Sequence, residues 1–137
     1  MPIIGINFDK ISIEKQKQAI GKVSINHNLQ TTDITEEKLN ISTSGDTARF
    51  KFKFTIEYSP DIGNITMIGS VLYLDDPEVI EEILSNWKKN KELPKEVMPQ
   101  IFDMILAKCN TKSLILADDV NLPSPIRLPR VKKQDSK

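Results

Sequence analysis

Few residues in this chain are of a type that does chemistry: one histidine, His27, one cysteine, Cys109, and two adjacent acid pairs, Asp75-Asp76 and Asp118-Asp119. A lone imidazole is a pH-sensitive or ligand-binding group in principle. His27, however, falls among the apolar positions of an alternating stretch, with no second His or Cys and no carboxylate patterned beside it. Its commoner use there is at the edge of a core with one backbone partner. A single cysteine excludes an intrachain disulfide, and a single histidine excludes a His-rich metal site. Cys109 lies on the apolar face of a helical pattern, near its end. It reads as a small buried hydrophobe, because a reactive thiol wants a basic or helix-start setting. The acid pairs stand in cap and turn contexts and lack the further ligands of a cation site. There is no glycine-rich phosphate loop, no G-x-S-x-G elbow and no nucleophile–base pair. The expectation is a protein that is not an enzyme and uses no cofactor and no metal.

Composition narrows the class further. The 137 residues carry 19 basic and 19 acidic side chains, so net charge is zero and nothing global invites nucleic acid or an anionic membrane. Hydrophobic content of 39% and charged content of 28% are ordinary for a globular domain with its own core. No apolar run approaches the ~20 residues of a membrane span. The start, M-P-I-I-G-I-N-F-D, has neither a basic n-region nor a cleavage site. We read a soluble cytoplasmic protein, in which the sequons at Asn40 and Asn64 carry no weight.

The element that organises the chain is Ala48–Tyr58, where Phe50, Phe52, Phe54, Ile56 and Tyr58 alternate with Arg49, Lys51, Lys53, Thr55 and Glu57. Period-2 alternation gives a strand with a dry aromatic face and a wet basic one. Ahead of it, Ile4, Ile6 and Phe8 alternate, then shift phase at Asp9-Lys10 to Ile11 and Ile13, which predicts a strand with a β-bulge. Val23, Ile25, His27 and Leu29 mark a second strand over 20–29. Residues 31–46 are polar and turn-rich, with Leu39 and Ile41 able to pin a short strand. Ser59–Asn64 closes a hairpin on to a strand over 65–74 that is apolar on both faces: Met67, Val71 and Tyr73 on one, Ile68, Leu72 and Leu74 on the other. Gly69 in its middle predicts a bulge or a close backbone approach.

Asp76-Pro77-Glu78 opens a helix with Asp76 as N-cap, and Val79, Ile80, Ile83, Leu84 and Trp87 form its apolar stripe. Lys88, Lys89 and Lys91 suit its C-terminal end. A second helical region begins near Leu93-Pro94 and either kinks at Pro99 or restarts with Pro99 in its first turn. Met98, Ile101, Phe102, Ile105 and Cys109 line its wide apolar face. Pro123, Pro125 and Pro129 make 121–130 an extended arm, followed by a basic end.

Residues 48–129 resemble the SecB export-chaperone family. The resemblance lies in the hairpin T-A-R-F-K-F-K-F-T-I-E-Y and N-I-T-M-I-G-S-V-L-Y-L, the P-K-E-V-M-P run with Pro94 and Pro99, the following I-F-D-M-I-L-A-K-C, and V-N-L-P-S-P-I. The first 45 residues match in strand pattern alone. The resemblance implies an α+β fold: a four-stranded antiparallel sheet, two C-terminal helices on one face and a Pro-rich extended arm. Residues 1–129 would be the single domain and 130–137 a basic, disordered tail. It implies a homotetramer, a dimer of dimers, that holds non-native polypeptides in apolar grooves without ATP, with protein export as one setting. The groove residues expected on this basis are Ile4, Ile6, Phe8, Ile25, Leu72 and Trp87, and the subunit-interface residues Val71, Tyr73, Ile101 and Ile105. The family is strongly acidic and docks a translocation motor through acids on the sheet. Here Arg49, Lys51 and Lys53 occupy that face and Ser70 stands near an expected acid, which argues against motor docking. The alternative is an interaction module that binds one folded partner, such as a toxin or an assembly subunit.

Overall fold

The computed structural model describes residues 3–18, 20–37 and 46–126. Four strands come first, β1 (Ile3–Lys15), β2 (Ser24–Glu37), β3 (Asp46–Ser59) and β4 (Gly63–Asp75), then two helices, α1 (Pro77–Asn90) and α2 (Met98–Asp119). The strands form one antiparallel sheet in the order β1-β4-β3-β2. Both helices cover one face, α1 over β2 and β3, and α2 over β1 and β4.

The alternation of β3 carries through. Phe50, Phe52, Phe54, Ile56 and Tyr58 are all buried on the helix face. They stand opposite Val71, Gly69, Met67, Ile65 and Gly63 of β4, and this central pair runs without a register shift. The outer strands do slip. In β1 the extra residues are Ile4 and Asp9, between the pairs Ile3–Tyr73 and Gly5–Leu72 and between Phe8–Gly69 and Lys10–Ile68. The phase change read at Asp9 is therefore a bulge. The Ile4 slip is a correction: Ile3, not Ile4, shares the core face with Ile6 and Phe8, and Ile4 is pushed out to 44% exposure. Gly69 faces the Asp9 bulge. A Cβ there would collide with the Asn7 carbonyl and lie 3.0 Å from both Phe8 Cα and the Phe52 ring, so the approach requires glycine.

The strand β2 departs more from expectation. It starts at Ser24 rather than residue 20, after a connection in which Gly21 has φ 78°. It also runs on through 31–37, which reads as polar loop from sequence alone. Pairing to Ala48–Phe52 overrides the weak local signal, and the extra residue Thr32 re-phases the strand so that Ile34 enters the core. Leu39 and Ile41 lie outside the described residues, as do the end of the proline arm and the tail from 127 onward.

Ile80, Ile83 and Trp87 are the buried residues of α1, with Val79 and Leu84 half-buried beside them. Full burial of such side chains contributes about 1.5–3 kcal/mol each. Asp76 occupies the N-cap position but its side chain makes no cap bond. The acid next to it does the local work: Asp75 Oδ1 accepts the Asp76 N–H at 2.8 Å and Oδ2 accepts the Tyr73 hydroxyl at 2.6 Å. Pro99 lies in the first turn of α2, so the region restarts rather than kinks, after a turn in which Pro94 O accepts the Val97 and Met98 N–H groups. Met98, Ile101, Ile105, Cys109, Ser113 and Ala117 form the buried stripe. After α2 the arm docks on its own sheet: Leu122 is buried and Tyr58 donates to Pro123 O at 2.8 Å.

Candidate functional site

Two features of this architecture leave binding capacity unused. The first is backbone. The edge strands β1 and β2 run 13 and 14 residues, and among the described residues neither outer edge is paired. A long edge presents a row of free N–H and C=O groups that can take another extended chain. The second is apolar surface. Each helix stops short of its sheet edge, which leaves a half-covered ledge on the helix face. On β1 the ledge is Ile3, Ile6, Phe8 and Ile13, half-buried, with Ile11 39% exposed. On β2 it is Ile25 and Leu29, half-buried, with His27 exposed between them and tilted against Phe54 at 6.2 Å.

The residues expected to bind polypeptide fall into separate groups. Ile6 and Phe8 lie on the β1 ledge, and the Phe8 ring meets Phe52 edge-on at 6.0 Å. Ile4 stands beside them on its bulge. Ile25 lies on the other ledge, with β4 and β3 between the two. Trp87 faces β2 from α1: its indole N–H donates to Asp33 Oδ1 at 3.0 Å, and Lys91 Nζ sits 5.0 Å above the ring. Leu72 is on the opposite face of the sheet, half-buried between Arg49 and Gly5. Val71, Tyr73, Ile101 and Ile105 are wholly inside the chain's own core, where they join sheet to α2.

Asp33 is a residue that sequence reasoning passed over. The Thr32 bulge frees its side chain, which accepts both the Ile34 N–H at 2.9 Å and the Trp87 indole. A buried Trp usually finds a partner for its N–H, and that rule alone would have prompted a search. The face away from the helices is less basic than it looks. Arg49 Nε donates to Glu37 Oε1 at 2.9 Å, Nη2 pairs with the same oxygen, and Nη1 donates to Ser70 Oγ at 2.6 Å. Lys51 and Lys53 are the exposed cations of that strand.

Cys109 is fully buried and burial pushes its thiol up to about 12, so it stays a neutral packing group. Among the described residues no three of His, Cys, Asp and Glu converge to hold a metal ion, and no helix is long and apolar enough to cross a membrane. What the arrangement can do is hold an extended chain, by main-chain pairing and non-directional apolar contact.

No family model matches the sequence, and no curated protein matches it. Solved structures do. One is the Mycobacterium tuberculosis Rv1957 SecB-like chaperone in complex with a ChAD peptide from the Rv1956 HigA1 antitoxin. The TM-score is 0.58 at 12% sequence identity, over 98% of this chain and 92% of that one. The fold is SecB-like: four antiparallel strands with two helices on one face.

Proposed function

We propose that this chain is an ATP-independent holdase that binds non-native polypeptide along its sheet edges, as a cytoplasmic homotetramer built as a dimer of dimers. The observation that carries the proposal is the combination, at each edge, of strand backbone unpaired among the described residues with a half-covered apolar ledge. Backbone pairing and burial need no particular client sequence, which suits a client defined only by being unfolded. The SecB-like fold supports the same reading. Neither ATP nor another cofactor has a part in it, and protein export is one setting for it. The exposed Lys51 and Lys53 of the outer face, where acids would be needed, speak against docking a translocation motor there. A second reading has its own support, because the structurally similar Rv1957 chaperone is bound to a peptide from one antitoxin. Here the same edges serve one cognate partner instead of many clients.

The test is solution mass by light scattering, with and without a permanently unfolded polypeptide, beside suppression of client aggregation at stoichiometric protein. A tetramer that forms a larger stable complex and suppresses aggregation supports the holdase. A species that ignores the polypeptide and leaves aggregation unchanged rules the holdase out. Saturable binding to one partner without protection of generic clients selects the second reading.

A further inference from the structure

The edge of β2 changes character at its bulge. Before it, Ile25 and Leu29 stand half-buried on the helix face with His27 exposed between them, and Asn26, Asn28 and Gln30 are exposed on the other face. Beyond it the apolar face is used up. Ile34 is inside the core, and Glu36 and Glu37 follow, the latter paired with Arg49. The extra residue between these halves is Thr32.

Asp33, the next residue, closes the rim at that point. The register sets it opposite Lys51, which is exposed on the face away from the helices. Its Oδ1 nevertheless accepts the indole N–H of Trp87, which packs on the helix face. The carboxylate can join the two only around the outer rim of β2, because β3 fills the inner side. The same oxygen accepts the Ile34 N–H. The end of α1 lies over this contact, with Lys91 Nζ above the Trp87 ring. Bulges and charged side chains at a rim are the devices that stop a further strand from adding. A chain extending along β2 would meet a carboxylate here, together with a committed amide and a break in the strand's repeat.

We propose that Asp33, held by Trp87, ends the partner-accepting part of this edge, so that an added strand pairs along residues 24–31 and stops at the bulge. The occupant is an extended polypeptide segment whose alternate side chains are apolar. Those side chains pack on Ile25 and Leu29 and against the His27 ring, while the others turn toward Asn26, Asn28 and Gln30. This rests on the reading of the sheet edges as the binding surface, and adds to it a length and a stop. Asp33 touches no client in this scheme; it is a positioning residue that sets where the added strand ends.

The test is residue-resolved amide hydrogen exchange on the full chain, with and without reduced, carboxymethylated lactalbumin as the unfolded polypeptide. Light scattering follows complex formation in the same samples. The expected result is slowing by about tenfold or more at alternate amides of residues 24–31, as an open edge becomes hydrogen-bonded, and none over 33–37. In Asp33→Val, which removes the carboxylate and favours a strand, the slowing spreads past residue 33. In Asp33→Asn, which keeps an acceptor for Trp87 and Ile34, the boundary stays. Protected amides in β3 and β4 before the polypeptide is added show that each variant is folded, and the wild-type boundary needs no variant to be read. Slowing that runs through 33–37 in the wild type overturns the proposal, and so does a boundary that Asp33→Val leaves in place. Complex formation without slowing in β2 overturns it too and leaves the holdase standing, whereas no complex at all removes the holdase and this occupant with it. Slowing at 24–31 that appears without the polypeptide and grows with protein concentration gives the edge to a second copy and overturns the proposal.

Discussion

Tyr58 and Tyr73, the two tyrosines of the chain, hold their protons well beyond the ordinary phenol range. Burial pushes Tyr58 up to about 12. Burial raises Tyr73 further, helped by its hydrogen bond to the Asp75 carboxylate and by that group's charge. A phenol whose folded pKa lies above its unfolded value of 10.0 binds its proton more tightly when folded. Its contribution to stability is therefore complete below pH 10 and is lost as pH rises toward the folded value. We expect alkaline titration by phenolate absorbance to show no ionisation near pH 10 while circular dichroism reports an intact sheet. The absorbance step should instead coincide with unfolding at higher pH. A smooth titration near pH 10 with the sheet intact would place both rings in water. That Tyr58 is a core residue is legible from its apolar position in an alternating strand, whereas Tyr73, expected at a subunit interface, lies in the chain's own core. Asp33 as the partner of Trp87 is not legible, because the bulge that aims it lies in a stretch of small polar residues with no period.

At the level of elements, what could be read from sequence tracks how one-sided each element's burial is. The strand β3 has one wholly dry and one mostly wet face, and its pattern is unbroken. The second half of β2 sits at a sheet edge with Ile34 as its one fully buried residue, so hydropathy carries almost nothing and pairing to β3 decides its conformation. The bulge in β1 was visible as a phase change, whereas the slip at Ile4 was masked by two successive isoleucines. The glycine opposite the Asp9 bulge gives the sharpest test. Gly69→Ala forces a methyl into the Asn7 carbonyl, and overpacking of this kind costs about 1–3 kcal/mol. The denaturant midpoint should fall accordingly. Amide exchange should accelerate first in β1, which is held to the sheet by β4 alone, and less in β3. Equal loss of protection in both strands would mean that the clash is shared by the whole sheet rather than absorbed by its edge.

For the molecule as a whole, the order of strands and helices and the proline spacing pointed to a SecB-like arrangement, and the fold has that arrangement. The site was less legible, since a groove lies between elements distant in sequence: Ile6 and Ile25 turned out to lie on opposite edges. Ile11→Lys tests whether the β1 ledge is a working surface. Ile11 is already 39% exposed, so folding stability should change by no more than about 0.5 kcal/mol. Complex formation with unfolded polypeptide, read by light scattering, should weaken markedly. Unchanged complex formation would move the binding surface to the β2 side. The bulges of the two edge strands carry one more consequence. Asp9 and Thr32 fall on either side of a single cross-strand row, Phe8–Gly69–Phe52–Thr31, while the central strands between them have no extra residue. Both rims of the sheet are therefore longer in contour than its midline. A surface with long rims and a short middle is a saddle, and two such saddles meeting rim to rim touch over a short arc instead of zipping along their full length.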